Sequence, residues 1–165
     1  MPAPPLTPLA AAVLHVGEPE RVLQVECGEG DAALFLAREF PRARIRGVDR
    51  SEQAIRRATA RVGLDPEGRV AFKVGSPSSL PYPKDHFDLL AGIDVAPDPA
   101  EAGRVLRRGG HLLLARTAGG NAAGGWRWRR RLRRAGFRPV AGEAAGDGSF
   151  SVARLGEVGP ASNGV

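Results

Sequence analysis

Two glycines and an aspartate give the clearest chemical signal in this sequence. Gly28 and Gly30 lie in one short turn, and Asp49 follows Gly30 by 19 positions. Glycine lets a backbone approach a ligand closely, and a helix that begins at such a turn directs its free N–H groups toward that ligand. An acid about 20 residues beyond the turn can accept hydrogen bonds from ribose hydroxyls. These residues predict a site for a cofactor that contains a nucleoside.

The elements around the turn have the pattern that such a site requires. Residues 21–26 form an apolar, β-branched run typical of a buried parallel strand, and residues 31–40 have helical apolar spacing. Strands and helices continue to alternate, which predicts an α/β fold with a mostly parallel sheet. Further strands are predicted at 44–49, 69–74, 87–93 and 111–116 (the last entered through Gly109 and Gly110), helices at 51–62 and 98–106, and a closing hairpin of 136–140 and 149–155.

Small or polar residues follow four of the predicted strands. The carboxyl ends of parallel strands lie at one edge of a sheet, and ligands of such sheets bind beyond that edge. We therefore expect the turn at 26–30, Asp49, Ser76 and the pair Ile93 and Asp94 to converge there.

Four blocks of the sequence resemble, in order, the motifs of class I S-adenosylmethionine-dependent methyltransferases. The turn at 27–30 is similar to the family's first motif, and 75–90 to its loop after the third strand together with the fourth strand. Residues 104–114 resemble the short helix, glycine turn and fifth strand, and 136–155 the closing hairpin. The resemblance implies a Rossmann-like sandwich with a seven-stranded, mostly parallel sheet and a reversed last strand. It also implies S-adenosylmethionine as cofactor and methyl transfer to an acceptor by in-line displacement.

The resemblance implies particular contacts at this edge. Gly28 and Gly30 would lie under the methionine part of the cofactor, and Asp49 would bind the ribose hydroxyls through both carboxylate oxygens. Arg50 stands where the family often has an apolar residue against adenine, although a guanidinium plane can also stack on a base. An ordinary tight turn, with Asp49 solvated and paired with Arg50, is the structural alternative. The expected cofactor contacts are Glu26, Cys27, Gly28, Gly30, Asp49, Arg50, Ser76, Pro77 and Ile93.

Two positions of the first strand depart from the family pattern. Gln24 stands where the family usually has an acid, and Glu26 replaces the first glycine of the turn. Because strand side chains alternate, these two side chains are expected on one face. Glu26 could take over the role of the acid by pairing with the cofactor's ammonium group. Alternatively, it fills the space that a glycine leaves open and repels the cofactor's carboxylate.

The loop after the third strand is a further departure. Ser76 stands where the family commonly has an aspartate that holds the adenine amino group, and a serine hydroxyl can still accept one hydrogen bond. Pro77 has no backbone N–H to offer the adenine ring. Adenine recognition is therefore expected to be weaker than is typical.

Residues for acceptor chemistry are few. Asp94, at the end of the fourth strand, is a weak candidate for a group that faces the substrate. An ordinary structural role, as a loop acid before a helix, explains Asp94 at least as well. His86 and His111 lie beside strands and are expected to be surface or strand-end residues. Cys27 is expected to be a buried small apolar residue, and no spaced cluster predicts a metal site.

The positive charge of the chain is concentrated in one segment. The net charge is +6, but residues 126–138 hold seven arginines and no acid, so the rest of the chain carries −1. Trp128, Leu132 and Ala135 predict an apolar stripe that docks the helix on the sheet, with Trp126 exposed among the arginines. The outer face could contact a polyanion such as nucleic acid, or it could be an ordinary solvated face. The residues concerned are Arg127, Arg130, Arg131 and Arg134.

The length of 165 residues suits one domain. We expect a short N-terminal lead at 1–20, a methyltransferase-like domain at 21–156 and a loose tail at 157–165, with a flexible linker at 117–125. The segments that could form a lid are short, so an open pocket is expected. The sequence has one cysteine, no apolar run long enough to span a bilayer, and no Lys or Arg before Arg21 of the kind that begins a secretory signal. These features predict a cytoplasmic protein without a membrane partner.

Three functions are compatible with these features. The first is a minimal methyltransferase that acts on a small-molecule or macromolecular acceptor. The second is a methyltransferase-like fold that no longer catalyses and serves as a binding module, which Gln24, Glu26 and Pro77 would favour. The third is a dinucleotide-binding domain, because residues 28–33 satisfy Gly-x-Gly-x-x-Ala.

Overall fold

The computed structural model describes residues 6–117 and 126–156. The predicted linker, apart from Thr117, and the predicted tail at 157–165 lie outside these ranges. The elements are α1 (Thr7–Ala12) with a 3-10 turn (Val13–His15), β1 (Arg21–Val25), α2 (Asp31–Glu39), β2 (Arg44–Asp49), α3 (Glu52–Val62), β3 (Val70–Val74), β4 (Phe87–Ile93), α4 (Pro99–Val105), β5 (Leu106–Arg116), α5 (Trp126–Arg134), β6 (Phe137–Ala145) and β7 (Gly148–Leu155).

All seven strands form one sheet in the order β3-β2-β1-β4-β5-β7-β6. Strands β1 to β5 are parallel to one another, while β7 runs antiparallel to both β5 and β6. The predicted α/β sheet with a reversed last strand is therefore confirmed. In this register Val25 lies beside Val48 on one side and Gly92 on the other, so β1, β2 and β4 end at the same level.

Apolar side chains cover both faces of the sheet. On one face α1 and α2 pack against the strands, with Leu9, Leu36 and Ile45 fully buried. On the other face α4 and α5 pack over Leu23 and Leu90. Helix α1 lies in the segment expected to be an N-terminal lead, and it contributes to the main core.

The glycines before the fifth strand differ from the prediction. Strand β5 already begins at Leu106, so Gly109 and Gly110 lie within it instead of leading into it. The pairing of β5 with β4 shifts register between Phe87 and Leu89, and Gly109 has a φ of 83°. A Cβ at Gly110 would come within 2.8 Å of the Arg107 carbonyl oxygen. The glycines thus form an irregularity in the strand, where the backbones approach too closely for a side chain.

The start of α3 confirms a local prediction. Ser51 is its N-cap, and its Oγ accepts a hydrogen bond from the Ala54 N–H at 3.1 Å. Glu52 lies in the first turn, where the helix dipole favours an acid. This cap holds the chain that follows Asp49 in a fixed direction.

Candidate functional site at the carboxyl edge of the sheet

The strand ends bring the candidate residues to one edge. Asp49 pairs with Val74 at the ends of β2 and β3, and Ile93 pairs with Ala115 at the ends of β4 and β5. Glu26 follows the end of β1 at the same level. Ser76 and Asp94 follow the ends of β3 and β4, so the expected convergence is present in the fold.

Asp49 organises the glycine turn through its carboxylate. Oδ2 accepts the Gly28 N–H at 2.9 Å, and Oδ1 accepts the Ser51 N–H at 2.9 Å. A carboxylate can accept about four hydrogen bonds, so each oxygen keeps capacity for a ligand hydroxyl. The same side chain therefore fixes the turn and can bind a ligand next to it.

The two glycines of the turn have different surroundings. Both have positive φ, 53° at Gly28 and 91° at Gly30, which favours glycine. Within residues 6–117 and 126–156, a Cβ at Gly28 would meet no atom within 4 Å, whereas a Cβ at Gly30 would lie 3.0 Å from the Phe72 ring. Gly28 thus presents its backbone to open space, and Gly30 allows the turn to pack on β3.

Two arginines of α3 hold the turn from outside, and the sequence patterns did not single them out. Arg57 pairs with the Glu29 carboxylate at 2.7 Å. Arg61 donates to the Glu29 carbonyl oxygen at 2.8 Å and pairs with Asp31 at 2.7 Å. Their spacing of four residues on one helix face was the available signal. Because these pairs are exposed, they position the turn more than they stabilise the fold.

Glu26 forms an ion pair across the edge. Its carboxylate accepts Arg50 Nε at 3.1 Å, so Arg50 pairs with Glu26 and not with Asp49. Glu26 has a φ of 51°, which is costly for a residue with a side chain. It lies beyond the strand in this left-handed conformation, so strand alternation does not place it on one face with Gln24.

Gln24 is buried without a hydrogen-bond partner for one of its atoms. The residue is 3% exposed between Gly47 and Ala91 of the neighbouring strands. Within the described ranges its Oε1 accepts no hydrogen bond. A buried acceptor without a protein partner is unusual in a folded protein, and a ligand group or an ordered water is what ordinarily satisfies it.

Cys27 has the properties expected of a structural residue. Burial, with a further contribution from the Asp49 charge, raises the pKa of its thiol to about 12. The thiol therefore stays protonated at neutral pH and is a poor nucleophile. Its N–H donates to the Val48 carbonyl at 3.0 Å, which ties the turn to β2.

The loop after β3 is a compact local turn. Ser76 Oγ lies 2.9 Å from Ser78 Oγ, and the Ser79 N–H donates to the Ser76 carbonyl at 3.1 Å. Pro77 lies between them at the tip. The Ser76 hydroxyl is thus engaged within its own loop, although it retains capacity to accept from a ligand.

An ion pair of α4 clamps the second half of this loop. Arg104 binds both carboxylate oxygens of Glu101, at 2.7 and 2.9 Å, and also donates to the carbonyl oxygens of Leu80 and Tyr82. The Leu80 N–H in turn donates to Glu101 at 2.8 Å. The hydrogen bonds from Arg104 hold the pKa of Glu101 below its usual value. This clamp positions the loop that carries Ser76.

Glu101→Gln is expected to lower the free energy of unfolding by about 1–2 kcal/mol at pH 7, because charge-assisted hydrogen bonds to a partly exposed pair are lost. The carboxyl has a depressed pKa in the folded state, so its stabilisation is present above pH 4.5 and is lost as the pH falls below that value. Urea denaturation should therefore show that the free energy of unfolding of Glu101→Gln is lower than that of wild type at pH 7, and that this difference becomes smaller below pH 4.5. Glu67→Gln, at an exposed acid, is the control, and an equal loss there would contradict the clamp.

Asp94 is held by a residue that the sequence did not indicate. Its Oδ1 accepts the Thr117 N–H at 2.9 Å, and its Oδ2 accepts the Thr117 hydroxyl at 2.6 Å. Asp94 has a φ of 55° and donates its N–H to the Ala115 carbonyl. These bonds join the ends of β4 and β5 at the candidate site.

Both strand-associated histidines lie away from this edge. His86 directly precedes β4, and His111 pairs with Leu89 in the first half of that strand. Burial lowers the pKa of each, with a further decrease from Arg21 at His86 and from Arg154 at His111. Neither histidine can act at the carboxyl edge.

A groove opens beside the ends of β5 and β7. It has a volume of about 920 Å³ and lies between α5 and the strands β5, β7 and β6. Leu114, Trp128 and Leu132 contribute apolar walls, and Arg116 lies next to the Thr117 contact of Asp94. Its size is within the range of pockets for small organic molecules.

Two other kinds of site were sought in the described residues. No group of three or more His, Cys, Asp or Glu side chains there could hold a metal ion. None of the helices at 6–117 and 126–156 is long and apolar enough to cross a membrane.

The chain is similar to known proteins in sequence and in fold. A family model described as methyltransferase domain matches residues 22–110. The chain is 33% identical over 117 residues to 27-O-demethylrifamycin SV methyltransferase of Amycolatopsis mediterranei. The matched region covers 66% of this chain and 43% of that protein. It spans about two fifths of the length of the curated relatives it matches.

Two solved structures share the fold. One is a chain of the complex between the Haloferax volcanii Trm112 methyltransferase activator and its methyltransferase, with a TM-score of 0.75, 17% identity and coverage of 92% of this chain and 90% of that chain. The other is geranyl diphosphate C-methyltransferase from Streptomyces coelicolor, solved with Mg²⁺, geranyl diphosphate and S-adenosyl-L-homocysteine. Its TM-score is 0.75, its identity 13%, and the match covers 88% of this chain and 78% of that chain.

Proposed function

Because the chain belongs to the methyltransferase domain family, whose cofactor is S-adenosylmethionine, we propose that it transfers a methyl group from this cofactor to an acceptor at the carboxyl edge of its sheet. The observation that carries the proposal is the arrangement of Gly28 and Asp49. Their hydrogen bond fixes a turn in which a Cβ on Gly28 would meet no atom of the described residues within 4 Å, next to a carboxylate with remaining acceptor capacity.

The residues present fit S-adenosylmethionine. Gly28 offers an open backbone against which the methionine part can lie, and Asp49 can accept the ribose hydroxyls. Gln24 Oε1 is a buried acceptor without a partner within the described ranges, two residues before the turn. An ammonium group is the kind of donor that would satisfy it. Arg50 and Ser76 lie at the ends of the adjoining strands, where the adenine would be held.

The chemistry needs positioning more than acid–base groups. When bound, S-adenosylmethionine supplies an activated methyl group for in-line displacement. The chain's part is to hold cofactor and acceptor in line, which can account for most of the acceleration if the nucleophile is already reactive. The hydrogen-bonded pair Asp94 and Thr117 would offer polar groups to the methyl acceptor. The adjoining groove offers room for an organic acceptor.

Two alternatives compete with this function. A noncatalytic binding module would keep the fold and lose the site. Against it, Asp49 still accepts the Gly28 N–H, and the family model and the curated relative described above are methyltransferases. A dinucleotide-binding domain would use the same glycine turn. The matches described above are to methyltransferases, which favours S-adenosylmethionine over a dinucleotide.

Methyl transfer can be tested with S-adenosylmethionine labelled in its methyl group. The protein is incubated with a small-molecule extract and, separately, with total RNA from a host cell, and label in each fraction is measured. We expect label that depends on the enzyme and is lost in Asp49→Ala. Cofactor binding without label in any fraction would favour the noncatalytic module.

Glu26→Gly is expected to tighten S-adenosylmethionine binding about fivefold, because a carboxylate near the cofactor's own carboxylate is removed. Glu26 is already paired with Arg50, so it is not a free ligand for the ammonium group. Relief of the positive φ should also raise the melting temperature. Calorimetric titration checks the affinity. Glu26→Gln separates charge from volume, and weaker binding by both variants would make Glu26 a ligand.

A further inference from the structure

Helix α5 carries a dense cluster of arginines that the methyltransferase site does not use. The helix contains six arginines in nine residues, and Arg138 follows on β6. Among the residues that the structure describes, its ion pairs are limited to Arg131 with Asp98 at 2.7 Å. The acids that would ordinarily balance such a face are therefore not provided by the described part of the chain.

The helix is firmly attached through its other face. Leu132 is buried in the apolar cluster on the face of the sheet that α4 and α5 cover, and Trp128 packs against that cluster. The Trp128 indole N–H donates to the Pro97 carbonyl at 2.9 Å. Because the apolar stripe is used for this attachment, the helix has no apolar face with which to enter a membrane surface. The exposed face can only offer charge and one aromatic ring.

The arginines form a continuous track on the surface. Trp126, Arg130, Arg133 and Arg134 line an open hollow of about 570 Å³. Arg133 also lines a second hollow, of about 400 Å³, together with Arg108 and Arg138. The shared residue joins the two hollows, and the helix alone is about 14 Å long. The track is long enough for several phosphates of an extended strand.

The exposed tryptophan gives the track a second kind of contact. Trp126 is 67% exposed, and the Arg127 guanidinium lies 5.5 Å from its ring. A large aromatic ring held in water by neighbouring cations is a stacking platform for a nucleobase. Guanidinium groups beside it can bind phosphate in a bidentate way. The Trp126 ring beside planar guanidinium groups therefore suits single-stranded nucleic acid, because its unpaired bases are free to stack on the ring.

We propose that the track formed by Trp126, Arg130, Arg133 and Arg134, extended by Arg108 and Arg138, binds single-stranded nucleic acid. Arginines neutralise the phosphates, and Trp126 stacks on a base. The docked face of α5 reaches the loop after β4 through Trp128, so the helix itself lies beside that loop while the track faces outward. Binding to the track does not depend on methyl transfer, so the two proposals fail separately.

The test is a fluorescence anisotropy titration of the whole chain with a labelled 20-nucleotide oligouridylate at several salt concentrations. A blunt RNA duplex of equal length and vesicles with 30% phosphatidylserine are measured in parallel. We expect the single strand to bind at least fivefold more tightly than the duplex, with an affinity that falls as salt rises.

Two double variants make the test specific. Arg130→Ala with Arg134→Ala removes two exposed cations of the track. Arg38→Ala with Arg56→Ala removes two exposed arginines from α2 and α3. The first double variant should weaken binding at least tenfold and reduce the slope of log K against log salt by about 1.4. The second should stay within twofold of wild type, and Trp126→Ala should weaken binding about tenfold with an unchanged salt slope.

Several results would overturn the proposal. Equal losses in the two double variants would mean that net charge, and not the track, attracts the strand. Equal or tighter binding to duplex or to vesicles would assign the arginines to another polyanion. If the folded wild-type protein does not bind the oligonucleotide at low salt, the arginines form an ordinary solvated surface and the proposal is wrong.

Discussion

Asp49→Ala is expected to raise the Kd for S-adenosylmethionine and S-adenosylhomocysteine at least about 100-fold. Under the proposed function the variant loses hydrogen bonds from the ribose hydroxyls to a charged acceptor, which contribute about 1.5–3 kcal/mol each. It also loses the bond from the Gly28 N–H, which orders the turn, and the bond from the Ser51 N–H. Calorimetric titration of the folded variant measures the effect.

A second aspartate provides a matched control. Asp65 also accepts a backbone N–H next to a strand, from Val70 at 2.8 Å, but it lies at the opposite end of the sheet. Asp65→Ala should therefore keep the affinity within twofold. Asp49→Asn, which retains one oxygen, should lose about tenfold. Unchanged affinity in Asp49→Ala would remove Asp49 from the site, and an equal loss in Asp65→Ala would show that the effect is general loosening of the fold.

Gly28→Ala is expected to reduce cofactor affinity at least tenfold. The added methyl group meets no atom of the described part of the chain within 4 Å, and it would occupy the space where the cofactor is proposed to lie. The backbone φ of 53° adds a strain of about 1–2 kcal/mol to the folded state. Affinity is measured by calorimetry and stability by thermal unfolding.

Gly68→Ala is the control for this backbone strain. Gly68 has a φ of 61°, and a Cβ there would also lie more than 4 Å from every atom that the structure describes outside its own chain neighbours. It lies in the turn before β3, away from the carboxyl edge. The two variants should lose similar stability, but Gly68→Ala should keep its affinity. Equal affinity in Gly28→Ala and wild type would mean that the open space beside Gly28 is not the cofactor site.

Local sequence patterns predicted the elements that form the site. Apolar periodicity located β1, α2 and β2, because buried strands and amphipathic helices each have a characteristic spacing. The Ser51 cap was also predictable, since a cap depends on residues close in sequence. The order of four motif blocks added the sheet topology, which local patterns alone do not determine.

Contacts between distant residues were not predictable in the same way. Thr117 meets Asp94 across two strand ends, and the clamp of Glu101 and Arg104 reaches back about 20 residues to the loop. Glu26 lies beyond the end of β1 in a left-handed conformation, where strand alternation no longer applies to its side chain. Gly109 and Gly110 suggested a turn, but sheet pairing extends through them.

Three features of this chain carry the proposed cofactor site. A shared fold does not by itself assign an activity, because related scaffolds support different reactions. What this chain adds is the hydrogen bond between Gly28 and Asp49, the space beside Gly28, and the Gln24 oxygen, which has no hydrogen-bond partner among the described residues. The first two make separate predictions about cofactor affinity, through Asp49→Ala and Gly28→Ala.

The most direct test of the account is calorimetric titration of the purified protein with S-adenosylmethionine and S-adenosylhomocysteine, with NAD as the comparison ligand. We predict micromolar binding of both methionine-derived ligands with one site per chain, and no measurable binding of NAD. A folded protein that binds neither methionine-derived ligand, or that binds NAD more tightly, would contradict the assignment of the Gly28–Asp49 turn as an S-adenosylmethionine site.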